Sequence, residues 1–492
     1  MVFKKMRQIR SRFRFLKPEE LENRRLLTGD TVSSLTPDEV DARIESFKSY
    51  FVQTIEASDA KYTEHSESAG VNGVLLYNLQ YVVDGALSMY EATGDREILA
   101  YANKYVDNVM RSARHIEGGV HERDGHLDWE WTSGGQPRNQ GILLYDLQFG
   151  SAMSRLARII HEDARLQDDI ELQAWGDDLI EFIDEQIVFK WLDSRKQRDW
   201  LEGFYDNSDT WTDKATHMVS LCDNVQAVLG DSSSCGGIER TLAQQFKDIL
   251  VVADDGAYLW GLWDTLPSGH HHLAPDTAHE NRVATMVAQL GPNDVVFGME
   301  DIELLANTFV QRIWNGRTDW EASPHIEDSP WFYNYIDGSD ELYRNYVHHT
   351  GGAEGMSGFV YDGWVRLGEF VPEAQVAGEA LLSFLQGVTS NVNAIRSRNG
   401  TDLGIMSLTG HLARNLRNAD YFSSDATDPV VASAATANDV LGDIDGDGVV
   451  GFSDFVILSN NFGNQDQTRQ DGDLDGDQAV TFSDFLILAA NF

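Results

Sequence analysis

Two stretches near the C-terminus space aspartates as a hard cation requires. In Asp443-Ile-Asp-Gly-Asp-Gly-Val-Val-Gly-Phe-Ser-Asp454, the carboxylates of Asp443, Asp445, Asp447 and Asp454 fall at positions 1, 3, 5 and 12 of a loop. Val449 offers its backbone carbonyl at position 7, Gly448 permits the sharp turn at position 6, and Gly451 leaves position 9 to a water. Calcium takes about six to eight oxygens, and this set supplies them. Thirty residues later Asp473, Asp475, Asp477, the Ala479 carbonyl, Thr481 and Asp484 take the same places. Over the twenty aligned positions of 443–462 and 473–492, thirteen residues are identical. Two Ca2+ sites are expected, the second weaker because Gln478 stands where the turn wants glycine.

Other residues are typed for proton transfer. In Asp276-Thr-Ala-His279-Glu280-Asn281-Arg282, Asp276 can cap a helix and His279 then lies in its first turn. A neutral His there can act as a base. The competing role is a structural His bonded to the Asp276 side chain. The adjacent run His270-His271-His272 could ligate a metal, but reads better as a solvated loop. A second cluster, Asp337 to His349, contains Tyr343, Arg344, Asn345, Tyr346 and His348. Removing the proton beside a sugar carboxylate needs a cation for that carboxylate, a base, and an acid for the leaving oxygen. His279, Arg344 and Tyr346 offer groups of these types, with Tyr333, Tyr335 and Tyr343 as rivals for the tyrosine role. Glycoside hydrolysis would instead need two carboxylates across a cleft. Glu202, Asp206, Asp254, Asp255, Asp276, Glu321 and Glu354 are available, but 79 acidic residues make availability uninformative.

Helices must position these groups. Val71, Leu75, Leu79, Val82, Val83, Ala86, Leu87 and Tyr90 recur at helical spacing. Gly94-Asp95 supplies a stop and a new N-cap, and Ile98, Leu99, Ala102, Tyr105, Val106 and Val109 form the next apolar face. Similar patterns occur near 139–161, 168–189, 236–250, 299–315, 354–370 and 373–388. Gly73-Val-Leu-Leu-Tyr77-Asn-Leu-Gln80 returns as Gly141-Ile-Leu-Leu-Tyr145-Asp-Leu-Gln148, an offset of 68 residues. Repeated hairpins must stack to bury their faces. The expected fold class is all-α, an α/α toroid with a small C-terminal two-repeat calcium-binding module; an open solenoid is the alternative. Ten of the twelve tryptophans fall in the long connections Ile116–Arg138, Trp191–Trp211, Asp254–Asp276 and Trp314–Gly338. Trp129, Trp131, Trp260, Trp263, Trp331 and Tyr335, with Arg282, are the candidate substrate-binding residues; the competing role is core packing at the ends of the toroid.

The expected divisions are a basic leader (1–30), the toroid (31–424), a small-residue linker (425–440) and the calcium module (441–492). The net charge of −41 argues against nucleic acid and anionic membranes as partners. No apolar run reaches the roughly 18 residues of a membrane span. The first 29 residues run the other way, nine Lys or Arg against three Glu. Cys222 and Cys235 are close enough in sequence to bridge in an oxidising compartment, or are two separate buried thiols.

Three resemblances add to this. The duplicated loops, each closed by Asp and followed by one apolar helix (Phe455-Val-Ile-Leu458, Phe485-Leu-Ile-Leu488), resemble a type I dockerin. That implies calcium dependence and a cohesin-type protein as partner. Phe452-Ser453 and Phe482-Ser483 occupy the family's specificity positions in both repeats and imply two symmetric binding faces. Leu21-Glu22-Asn23-Arg24-Arg25-Leu26-Leu27 resembles the leader of many secreted planctomycete proteins, which implies a secreted or cell-surface location. The helical body with Trp-rich loops looks like the α/α-toroid polysaccharide lyases and glycoside hydrolases. Asn224, His279, Arg344 and Tyr346 resemble the Asn/His/Arg/Tyr sites of some alginate and glucuronan lyases, which implies these four as the candidate catalytic set. The expectation is therefore an extracellular polysaccharide lyase acting on a uronic-acid glycan. A glycoside hydrolase, or a non-catalytic glycan-binding scaffold, is the alternative.

Overall fold

The computed structural model describes residues 35–116, 125–133, 136–137, 141–193, 212–260, 275–314, 316, 332–333, 335–338, 359–387 and 400–419, together with Ile444, Ile457, Leu458, Asn461, Leu474 and Val480. The chain divides into two compact units, Met1–Ser424 and Asp425–Phe492.

The first unit is mostly helical. Its helices among the described residues are α1 (Pro37–Glu67), α2 (Leu75–Thr93), α3 (Arg96–Ser112), α4 (Leu143–Glu162), α5 (Ile170–Ile183), α6 (Thr212–Leu229), α7 (Ile238–Lys247), α8 (Asn281–Leu290), α9 (Met299–Asn307), α10 (Gly363–Arg366), α11 (Pro372–Gly387) and α12 (Asp402–Asn418). A π-helical turn, Asp184–Phe189, and a further turn, Lys190–Asp193, extend α5; Thr308–Ile313 extends α9 in the same way. Two short hairpins complete this set: β1 (Thr132–Ser133) with β2 (Gln136–Pro137), and β3 (Val251–Val252) with β4 (Tyr258–Leu259).

Local chemistry sets several boundaries. Thr36 and Glu39 form a reciprocal capping box and Pro37 occupies the first turn of α1. Gly94 ends α2 in the left-handed conformation (φ 69°), and the Asp95 side chain caps α3 by accepting from the Glu97 amide. The 354–370 pattern yields only the short α10, from Gly363. The long α1, α6 and α12 lie outside the patterns read from sequence, and the ten-residue α8 is expected only from its cap at Asp276.

Odd- and even-numbered helices differ in burial. α3 buries the single face Ile98, Leu99, Ala102, Tyr105, Val106 and Val109. α2 buries 14 of its 19 residues, Gln80, Asp84 and Ser88 among them. A helix buried all round belongs to an interior. Each even helix touches the next: α2 with α4, α4 with α6, α6 with α8, α8 with α10, α10 with α12, and α12 with α2. Odd helices pack against this series, α1 on α2 and α12, α5 on α4, α7 on α6, and α11 on α10 and α12. At the α2–α12 contact Gly410 faces the backbone of Gly85, and Gly85 faces that of Met406 and Ser407. A Cβ on Gly85 would stand 2.6 Å from the Met406 carbonyl oxygen, and one on Gly410 would overlap the Gly85 carbonyl.

Connection lengths are asymmetric. Even-to-odd links are short, from the two residues Gly94-Asp95 to the eight of 230–237. Odd-to-even links include 113–142, 194–211, 248–280 and 314–362. Each long link therefore ends on the N-terminus of an even helix.

A buried ion cluster holds one such link. Lys190 is fully buried, and its Nζ donates to Asp146 Oδ2 (2.8 Å), Asp128 Oδ1 (3.0 Å) and the Leu127 carbonyl (3.1 Å). The ammonium also lies 5.5 Å from the ring centroids of Trp129 and Trp191. Burial, opposed by Lys190 and reinforced by Asp128, pushes the Asp146 carboxyl up to about 7. Trp191 belongs to the helical turn after α5, not to a connection, and its indole N–H donates to Asp146 Oδ2 at 2.9 Å. Cys222 on α6 and Cys235 before α7 are joined by a disulfide, with Cα atoms 5.7 Å apart, which settles the choice between bridge and separate thiols.

The second unit is described at few positions. Ile444, Leu458, Leu474 and Val480 form one apolar cluster, with Ile457 packed on it. Ile444 and Leu474 are the second residues of the two aspartate loops, so both repeats contribute to one core.

Candidate active site at the N-terminal ends of the even helices

Tyr77 is the third residue of α2, Tyr145 the third of α4 and Arg282 the second of α8. These helix starts converge. Arg282 Nη2 donates to Tyr77 Oη at 2.9 Å and to Gln148 Oε1 at 3.4 Å, and its guanidinium carbon stands 5.4 Å from the Tyr77 ring centroid. Gln148 Nε2 donates to the Tyr77 carbonyl (3.2 Å) and to Gln80 Oε1 (3.3 Å). Rings extend the cluster: Tyr77 to Tyr145 at 6.2 Å, Tyr77 to Tyr81 at 6.1 Å, and Tyr81 to Tyr361 at 5.4 Å, all edge-on. Arg282 and Gln148 are buried, whereas Tyr77 and Tyr145 are half-buried.

Burial sets the charge states. It lifts the phenols of Tyr81 and Tyr361 well above the usual tyrosine range. His217 on α6 is driven well below the usual imidazole range by burial and then by the Arg282 charge, so it stays neutral. Arg282 thus brings a cation into a tyrosine- and glutamine-lined wall, an arrangement suited to a polar ring bearing an anionic group.

The segment leading into α8 is fixed at many points. Thr277 Oγ1 donates to the Tyr333 carbonyl (2.7 Å), Trp364 Nε1 to the Thr277 carbonyl (2.9 Å), and Asn281 Nδ2 to the Phe359 carbonyl (2.8 Å). Asp276 caps the turn before α8: its Oδ1 accepts the His279 amide at 3.1 Å, and its Oδ2 lies 2.6 Å from His279 Nδ1. The helix proper begins at Asn281, so His279 precedes it instead of lying in its first turn. A carboxylate on Nδ1 fixes the proton there and leaves Nε2 as the basic nitrogen. Both side chains are 16 % exposed.

The other expected residues are distributed differently. Asn224 is buried on α6, where Nδ2 donates to Ser154 Oγ at 3.2 Å. It lines a cavity of about 400 Å³ near the C-terminal ends of the even helices, with Glu91, Arg158, Gln289, Arg366 and Arg414. Trp129 is buried and donates its indole N–H to the Val109 carbonyl (3.0 Å); Trp260 is buried and donates to Glu280 Oε2 (2.9 Å). Tyr335 is buried too, while Trp131 is half-buried. Arg344, Tyr346, Trp263 and Trp331 lie outside the described residues, as do the expected calcium ligands Asp443, Asp445, Asp447, Val449, Asp454, Asp473, Asp475, Asp477, Ala479 and Asp484. Sequence reading did not single out Tyr77, Gln148, Tyr145 or His217 as site residues. The signal was the echo itself, which repeats Tyr77 as Tyr145 and Gln80 as Gln148.

Deeper in, Asp84, Asp362 and His411 bring three ligand-type atoms within 4.8 Å of one another. Guanidiniums already occupy this cluster. Arg155 and Arg366 both pair with Asp84, and Arg155 with Glu91. His411 engages Ser88 Oγ through Nδ1 (2.9 Å) and Asp362 Oδ1 through Nε2 (2.9 Å). Burial pushes the Asp362 carboxyl up to about 7 and holds His411 neutral. The trio reads as an arginine-neutralised network joining α2, α4, α10 and α12.

Comparison with known proteins gives one match. Residues 441–492 match the family model described as the dockerin type I domain. No curated protein and no solved structure matches the chain. Type I dockerins bind calcium through aspartate-rich loops, and an all-oxygen donor set fits that cation. Among the described residues no helix is long and apolar enough to cross a membrane. The chain is therefore a dockerin-bearing protein, equipped at its C-terminal end for attachment to a cohesin-type scaffold.

Proposed function

We propose that this is an extracellular polysaccharide lyase, built on an α/α toroid and tethered through a dockerin with two calcium sites. The toroid is supported by the series of even-helix contacts that returns from α12 to α2, with the odd helices outside it. Export is supported by the Cys222–Cys235 disulfide, which suits an oxidising compartment, together with the leader-like start.

The observation that carries the catalytic reading is the Arg282–Tyr77 contact at 2.9 Å, with Arg282 on the same short segment as the Asp276–His279 pair. In this reading Arg282 neutralises a uronate carboxylate and so acidifies the C5 proton. His279, oriented by Asp276, takes that proton, and a tyrosine protonates the leaving oxygen. Arg344 and Tyr346 remain proposed contributors from their connection. Asn224 sits among the C-terminal ends of the even helices and is not required by these steps.

The test is incubation with a panel of neutral and uronic-acid polysaccharides. Ultraviolet absorbance from an unsaturated uronide supports the lyase. Reducing sugar without that absorbance supports a hydrolase, and binding without cleavage a glycan-binding scaffold.

A further inference from the structure

We propose that the cavity at the C-terminal ends of the even helices is a second ligand site, for a small hydroxylated carboxylate of the free hexuronate kind. The site is separate from the one assigned to the reaction above and does not depend on that reading. The cavity measures about 400 Å³, within the roughly 300–1,000 Å³ of small-molecule sites. All six even helices reach it: Glu91 from α2, Arg155 from α4, Asn224 from α6, Gln289 from α8, Arg366 from α10 and Arg414 from α12. A bare oxyanion takes the place of only a few waters of about 30 Å³ each, so the space suits an anion with a polar body.

Charge points to the anion. The chain has 38 basic residues against 79 acidic ones, yet five arginines line this one cavity. Four of them are paired. Arg155 meets Asp84 and Glu91, Arg414 meets Glu91 and Glu369, Arg158 meets Glu162 and Asp223, and Arg165 holds Asp163 at 2.6 Å. Such pairs are also what helix C-terminal ends favour, since cations suit the negative end of the dipole. Arg366 differs. Its side chain is only 5 % exposed; Nη2 pairs with Asp84 and lies 3.6 Å from Asp362, but Nε is buried with no hydrogen-bond partner. Burial, and then the Arg414 charge, lowers the Arg366 guanidinium to about 9, as befits a cation short of counter-charge. A carboxylate in the cavity supplies both the acceptor and the charge.

The rest of the lining suits hydroxyls. Asn224 donates its amide N–H to Ser154, and Gln289 donates to the Ser220 carbonyl and to Asp223. Each therefore has its amide oxygen to offer a ligand hydroxyl. Depth runs in the matching direction. Glu162 and Arg165 are 53 % and 49 % exposed at the rim, whereas Arg155 and Arg366 are 9 % and 5 % exposed at the floor. A ligand entering carboxylate first reaches Arg366 last.

The experiment is isothermal titration calorimetry on the full chain with calcium, with glucuronate, glucose and inorganic sulfate as probes. Glucuronate should bind at one site per chain, and at least about tenfold more tightly than either of the others. Arg366→Gln should weaken it by about 10–100-fold, the loss expected for a hydrogen bond to a charged group. Asn418→Trp changes an exposed lining position, so it narrows the mouth without touching the floor and should also abolish binding. It covers the case of an Arg366 variant that folds poorly. No binding of glucuronate, or equal affinity for glucose, overturns the proposal. So does unchanged affinity in Asn418→Trp, or a loss in Arg282→Ala without one in Arg366→Gln, which would put the ligand at the N-terminal ends. Sulfate binding as tightly as glucuronate would mean a plain anion site and overturn the sugar-acid assignment. None of these results bears on the lyase reading, which the formation of unsaturated product decides.

Discussion

Gln148 donates to Gln80 across the buried α2–α4 contact at 3.3 Å, and the two residues are 68 positions apart. That number is the offset of the internal sequence echo. The repeat therefore records two neighbouring interior helices that present the same residues at the same height. Tyr77 and Tyr145, one turn earlier, meet ring to ring for the same reason.

The α2–α12 glycine contact gives the first prediction. Gly85→Ala in mid-α2 would ordinarily stabilise a helix by about 0.5–1 kcal/mol. Here the new methyl meets the Met406 carbonyl, so overpacking reverses the sign and costs about 1–3 kcal/mol. Urea denaturation checks this; a gain in stability would show that α2 and α12 are further apart.

Legibility followed locality. α2 and α3 were readable because an apolar pattern and the Gly94-Asp95 boundary lie within a few residues. α1 carries the same local signal, with Val40, Ile44, Phe47, Phe51 and Ile55 at steps of three and four, and it was legible though not read. Nothing local in the sequence marks Lys190, and only folding places two aspartates and two indoles around it. Trp129 and Trp260 read as sugar platforms, yet each spends its indole N–H inside the protein. Arg282 was legible as a binding candidate, but its pairing with Tyr77 joins residues 205 apart, which no local pattern encodes.

The pH dependence has a definite sign. Asp362, raised to about 7 by burial, keeps its proton in the folded state after the unfolded chain has lost it near pH 4. Its contribution is fully present below about pH 4 and is lost as pH rises toward 7, by at most roughly 4 kcal/mol. The stability of wild type relative to Asp362→Asn should therefore decline between pH 5 and 7 by calorimetry. A relative gain over that window would contradict the buried, proton-holding carboxyl.

The disulfide closes a loop of 13 residues. Cys222→Ala with Cys235→Ala should lower stability by about 2–4 kcal/mol, and reductant should have the same effect on wild type. An unchanged denaturation midpoint in both would mean that the bridge does not form.

The two aspartate loops share the core of Ile444, Leu458, Leu474 and Val480, so calcium in either loop should order both. Chelation should unfold 441–492 and abolish cohesin binding while the melting of the body stays put. Circular dichroism and calorimetry with and without chelator would show it; a dockerin that stays folded without calcium would contradict it.

The central claim is that a uronate carboxylate makes the chemistry possible. The direct measurement compares one uronic-acid polymer with the same polymer after its carboxylates are reduced to alcohols. The account predicts unsaturated product from the acid form, none from the reduced form, and loss of activity in Arg282→Ala. Cleavage of both polymers at similar rates, releasing only saturated ends, would contradict it.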